Sequence, residues 1–111
     1  MMSKFELYCM IFYVLDSAWD EKHSEELTDF LSAANPFLYT DIGSADPSIY
    51  IHFCETVADD ITIEGSYETA LLYIESLGNK AVSEAFNTVD KEEWTECVAE
   101  YLSQDHKGSN L

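Results

Sequence analysis

From Leu7 to Leu15 the chain runs through nine apolar residues without a break, inside the stretch FELYCMIFYVL at positions 5–15. A surface helix shows an apolar stripe and a half-buried strand alternates. An element apolar all round is buried all round. The pattern therefore puts this segment at the centre of the fold. It is shorter than the roughly 20 residues a membrane-crossing helix needs. Its aromatics and its lack of Gly or Pro are compatible with helix or strand over residues 4–19, and length favours helix. Asp16, Asp20 and Glu21 then lead the chain into solvent.

Beyond this run the spacing is helical. Ser24 is placed to cap a helix with Glu25 and Glu26 in its first turn, where the helix dipole favours negative charge. Leu27, Phe30, Leu31 and Ala34 form its apolar face, and Pro36 ends it. Residues 35–45, NPFLYTDIGSA, are irregular yet apolar, so Phe37, Leu38, Tyr39 and Ile42 are expected to be buried in an ordered loop laid over the helices. Asp46–Pro47 starts the next helix, with an acidic cap followed by Pro at the first helical position. Its face is Tyr50, Phe53, Cys54 and Val57, and Asp59 and Asp60 are expected to fray its end. Ser66 is expected to cap a helix bearing Tyr67, Ala70, Leu71, Ile74 and Leu77, closed by Gly78. A short helix spans 80–87. The last carries Trp94, Cys97, Val98, Tyr101 and Leu102 on one face, with Asp90 and Glu93 as a capping box and Trp94 against the N-terminal helix. The expected fold is all-α: a single compact domain over 1–103 of five to six short helices around a buried N-terminal helix. A mobile tail over 104–111 follows.

Composition agrees with one packed domain. The chain has 111 residues, 47% of them hydrophobic, with only four Gly and two Pro. Charge changes the picture more. There are 22 acidic residues against five basic ones, none of which is Arg, for a net charge of −17. A nucleic-acid ligand and an anionic membrane are both disfavoured, since each is held by Lys and Arg. A basic protein partner is favoured instead. Cys9, Cys54 and Cys97 form no C-x-x-C pair, and each falls within an apolar pattern. They are expected to be small buried hydrophobes in a reducing, cytoplasmic protein. The N-terminal run lacks the basic flank and small-residue cleavage site of a signal peptide.

Three groupings are candidates for chemistry. Glu92, Glu96 and Glu100 recur every four residues on the last helix, a stripe that is either solvated or meets a basic surface. Asp41 and Asp46 flank the aromatic loop, where they could receive a basic side chain. The loop does not fit a calcium site: counted from Asp41, positions 3 and 5 are Gly43 and Ala45, and position 12 is His52. His52, Cys54 and Glu55 do not converge as a metal or nucleophile set, because neighbours at i+2 point apart on a helix. No catalytic, cofactor-binding or metal-ligating motif is present, and the chain is not expected to be an enzyme.

Size and acidity together are similar to those of bacterial immunity proteins and of nucleic-acid mimics that block nucleases, a likeness of composition that no motif carries. The leading expectation is a small interaction protein that masks a basic surface of a nuclease or toxin, through Glu92, Glu96, Glu100, Asp41 and Asp46. The alternative is a structural or adaptor module, monomer or homodimer. It would self-associate through an apolar surface made by the 35–45 loop and the N-terminal helix.

Overall fold

Six α-helices account for most of the chain in the computed structural model, which describes residues 2–38 and 43–104. They are α1 (Lys4–Glu21), α2 (Glu25–Ala34), α3 (Pro47–Thr56), α4 (Ser66–Ser76), α5 (Lys80–Phe86) and α6 (Lys91–Leu102), with a single 3-10 turn at Pro36–Leu38. The fold is all-α and forms one domain, as the spacing predicts. Asp41, Tyr39 and Ile42 of the aromatic loop, and residues 105–111 of the tail, lie outside the described residues.

The N-terminal run is a helix, and it is central. Its start is fixed by a capping box that the sequence reading missed: Ser3 Oγ accepts from the Glu6 amide at 3.0 Å, and Glu6 Oε1 accepts from the Ser3 amide at 2.8 Å. Phe5, Leu7 to Phe12, Val14, Leu15 and Ala18 are buried. They pack α1 against α2, α3, α4 and α5. Ahead of the helix, Met2 is buried and donates its amide to the Ile61 carbonyl at 3.1 Å, an isolated antiparallel bridge.

Two aromatic clusters join the helices. Tyr8 of α1 meets Tyr50 and Phe53 of α3, each at 5.2 Å, and Phe53 meets Tyr73 of α4 at 4.8 Å, all near-perpendicular. The second lies between α4, α5 and α6, where Trp94 contacts Phe86 at 5.5 Å and Tyr67 at 6.3 Å. Trp94 is fully buried, and its indole N–H donates to the buried Ser66 Oγ at 2.8 Å. It thus packs into this second cluster. Ser66 departs from expectation. It is not the cap of α4, a place taken by Gly65 without a side-chain bond, but the first helical residue, turned inward. Its hydroxyl also donates to the Ile63 carbonyl at 2.8 Å.

The other helix ends follow local chemistry. Ser24, Asp46, Asn79 and Asp90 each accept from a backbone amide of the first turn they cap. Gly78 follows α4 at φ 61°, the left-handed conformation glycine adopts without penalty. Asp59 and Asp60, expected to fray the end of α3, lie beyond it. Lys4 Nζ donates to the Cys54 carbonyl at 2.7 Å and pairs with Asp59 at 3.1 Å, bringing a cation to the negative end of the helix.

Candidate functional site

The acidic stripe of α6 is real as geometry. Glu92, Glu96 and Glu100 are all exposed, and none has an ion-pair partner among the described residues. The one cation of this helix, Lys91, is turned away from them to Glu68 of α4. That contact holds the Glu68 carboxyl below its usual range. Asp46 is exposed but already engaged: its Oδ1 accepts from the Ser48 amide at 3.1 Å and the Ser48 hydroxyl at 2.8 Å as the cap of α3. Its own amide donates to the Ala33 carbonyl at 2.8 Å, tying it to α2, whereas α6 is tied to α4 and α1. Asp46 therefore serves the α2–α3 junction.

What meets the stripe is aromatic. Tyr101 of α6 contacts Tyr13 of α1, ring centres 5.6 Å apart, and Tyr13 contacts Phe37 of the 3-10 turn at 5.7 Å. Phe12 lies beneath, 6.1 Å from Phe37. The sequence reading buried both Tyr13 and Phe37. In the structure Tyr13 is 37% exposed and Phe37 49% exposed, among the most open large apolar residues of the molecule. Phe37 caps the ridge from outside because its amide donates to Asn35 Oδ1 at 2.8 Å, a turn that swings the ring onto α1 rather than under it.

Carboxylates stand on both sides of this ridge. On one side a shallow cleft of ≈ 210 Å³ is lined by Met10, Tyr13, Cys97, Glu100, Tyr101 and Gln104. On the other a cleft of ≈ 280 Å³ between α1 and α2 brings Asp16 next to Phe12, Trp19 and Asn35. Asp20 lies one helical turn beyond Asp16 and is exposed too. Sequence reasoning treated Asp16 and Asp20 only as an exit to solvent. The signal was available: Tyr13, Asp16, Ser17 and Asp20 recur at i, i+3, i+4 and i+7, which is the solvent stripe of α1 with a tyrosine at its head. A further cleft, ≈ 310 Å³, opens between α1, α2 and α5 beside Lys22 and Glu84, away from this ridge.

Two of the three cysteines depart from the expected burial. Cys9 is buried, Cys54 is half-buried and Cys97 is exposed. Partial burial and the carboxylates of Glu100, Glu93 and Glu96 push the Cys97 thiol up, away from the thiolate a nucleophile requires. His52 is exposed and rests against the Tyr73 ring at 6.0 Å. Among the described residues no group of three or more His, Cys, Asp or Glu is placed to hold a metal ion. No described helix is long and apolar enough to cross a membrane.

An aromatic centre with a charged border is the anatomy of a protein interface: buried aromatic anchors contribute most of the energy, and a polar rim excludes water and sets partner choice. Comparison with known proteins returns no match to any family model, curated protein or solved structure.

Proposed function

We propose that this protein masks a basic surface of a partner protein, in the manner of an immunity protein or inhibitor that blocks a nuclease or toxin. The observation that carries this is the Tyr13–Phe37–Tyr101 ridge between the carboxylates of Glu96 and Glu100 on one flank and Asp16 and Asp20 on the other. The rings supply apolar area that stays wet in the free protein. The carboxylates steer a basic partner onto it and repel an acidic one. Glu92, at the far end of the α6 stripe, widens the field.

A second reading has one observation in its favour. Phe37 and Tyr13 are exposed together where the 35–45 loop meets α1, the apolar surface through which an adaptor module would self-associate. Electrostatics weighs against it. Two copies meeting here would press Asp16, Asp20, Glu96 and Glu100 against their like, and each chain carries −17.

The experiment is co-expression with the products of the adjacent genes. The expected result is a basic chain that co-purifies with this protein, loses its toxic activity in the complex and is released in high salt. If every neighbouring product is acidic, or the complexed chain keeps its activity, the masking role is wrong. A dimer of this protein alone, insensitive to salt on sizing, establishes the adaptor reading instead.

A further inference from the structure

We infer that the cleft between α1 and the end of α6 receives an arginine side chain of the basic partner. The inference rests on the masking role and adds the chemistry of its central contact. The cleft joins the two aromatic walls of Tyr13 and Tyr101, whose rings meet at 68°, to the carboxylate of Glu100. The two rings meet edge to face, so that the cleft is bordered by aromatic surface beside the carboxylate.

Each class of occupant is tested by this lining. An apolar side chain would strip water from Glu100 and give it no partner. An anion would meet Glu100 with Glu96 and Glu93 close behind it. A cation answers both features, the ring faces by cation–π attraction and the carboxylate by a charged hydrogen bond. Among the described residues no cation of this chain lines the cleft. Lys4, Lys80 and Lys91 are paired with Asp59, Glu84 and Glu68, and Lys22 lines the cleft beside α5. The basic partner of the masking role supplies such a cation. Arginine fits better than lysine on three counts. Its guanidinium is flat and stacks on rings, it is more weakly hydrated than an ammonium, and it presents a fork that a carboxylate accepts with both oxygens. The Gln104 amide oxygen, on the same wall, can accept a further N–H.

The test uses the full chain, ¹⁵N-labelled, titrated with three capped tripeptides, Gly-Arg-Gly, Gly-Lys-Gly and Gly-citrulline-Gly, and followed by amide chemical shifts. Arginine is expected to shift amides around Tyr13, Cys97, Glu100 and Tyr101, lysine more weakly and citrulline not at all. Glu100→Gln should weaken arginine binding about tenfold, the loss of one charge-assisted contact. Tyr13→Leu, which keeps apolar bulk, should weaken it as well. Both positions are open to solvent, and the unbound spectra confirm that each variant is folded. Shifts of equal size at Glu75, Glu92 and Asp20, or binding indifferent to both substitutions, would overturn the site and leave only counterion attraction. The two proposals fail separately. A basic partner that binds Glu100→Gln and Tyr13→Leu as tightly as wild type removes the cleft and leaves the masking role. Arginine binding here without any basic partner removes the role and leaves the cleft.

Discussion

Trp94 and Tyr73 are the two residues on which side-chain chemistry bears most directly on stability. Trp94 fills the space between α4, α5 and α6, and Trp94→Ala should cost about 3–5 kcal/mol in denaturant unfolding. Ser66→Ala is the finer test. It leaves the buried indole N–H without an acceptor, at about 1–3 kcal/mol, although only one oxygen is lost. Tyr73 is the opposite case. Its hydroxyl is buried and has no hydrogen-bond partner among the described residues, so Tyr73→Phe should raise stability by about 1 kcal/mol. An unchanged or lower denaturation midpoint would mean that the hydroxyl is satisfied in solution. Burial also pushes the Tyr73 phenol up from 10.0 to about 12, and burial raises Tyr8, Tyr50 and Tyr101 as well. A phenol with a raised folded pKa keeps a proton that the unfolded chain releases. Stability is then fully present below pH 10 and is lost as pH climbs from 10 toward 12. Tyrosinate absorbance at high pH should accordingly rise in step with loss of helix by circular dichroism. Full ionisation of the tyrosines in a still-helical protein would contradict the packing.

At the scale of elements, the helix ends show how much of the fold is legible along the chain. Caps depend on residues three or four apart, and Ser24, Asp46–Pro47, Gly78 and Asp90 can be read from spacing alone. Ser66 could not. Its serine-before-helix signal was correct in kind, but the hydroxyl was claimed by Trp94, 28 residues away. Lys4 at the end of α3 is another long-range partner invisible to local reading. Lys4→Met should lower stability by about 1 kcal/mol by removing the cation from the α3 terminus, as measured by thermal melts. The candidate surface was half legible. The α6 stripe follows from a four-residue period, whereas the ridge depends on α1, the 3-10 turn and α6 coming together. The nine-residue apolar run hid Tyr13 because a helix of 18 residues in a domain this small must still turn one side to water. Changing Glu92, Glu96 and Glu100 together to Gln removes like-charge repulsion along α6 at almost constant helix propensity. The fold should hold or tighten slightly. Association with the basic partner should slow, with dissociation changed less, since rim charges steer encounter more than they hold a complex. Surface plasmon resonance at two salt concentrations separates the rates, and a wild-type association rate would reduce the stripe to a solvated face.

For the whole molecule, net charge is the governing quantity. A charge of −17 sits on a body of 33 × 31 × 24 Å. The described lysines relieve it only locally, at Asp59, Glu84 and Glu68. Self-repulsion should therefore weaken the fold when salt is low. Added sodium chloride shortens the screening length from about 30 Å at 0.01 M to about 10 Å at 0.1 M, and the melting midpoint should rise over that range. A flat or falling midpoint would show that the carboxylates lie too far apart to repel. The same charge opposes self-association through the open aromatic ridge. Like-charged copies should repel before the rings meet, and on the masking proposal an oppositely charged surface is drawn in.

Cys97 stands at the rim of the arginine cleft, exposed, with Glu93, Glu96 and Glu100 around it. Its surroundings make it a selective chemical handle. Anionic thiol reagents, such as a dinitrobenzoate disulfide or oxidised glutathione, approach against those carboxylates and with little thiolate to meet them. A neutral maleimide reacts through the same thiolate but meets no charge repulsion, and the buried Cys9 and half-buried Cys54 are less accessible to it. A fluorophore attached this way at Cys97 would sit beside the Tyr13–Tyr101 pair, where docking of a partner would change its polarity and its quenching by the rings. Cys97 is thus well placed to report, in the laboratory, what the cleft receives.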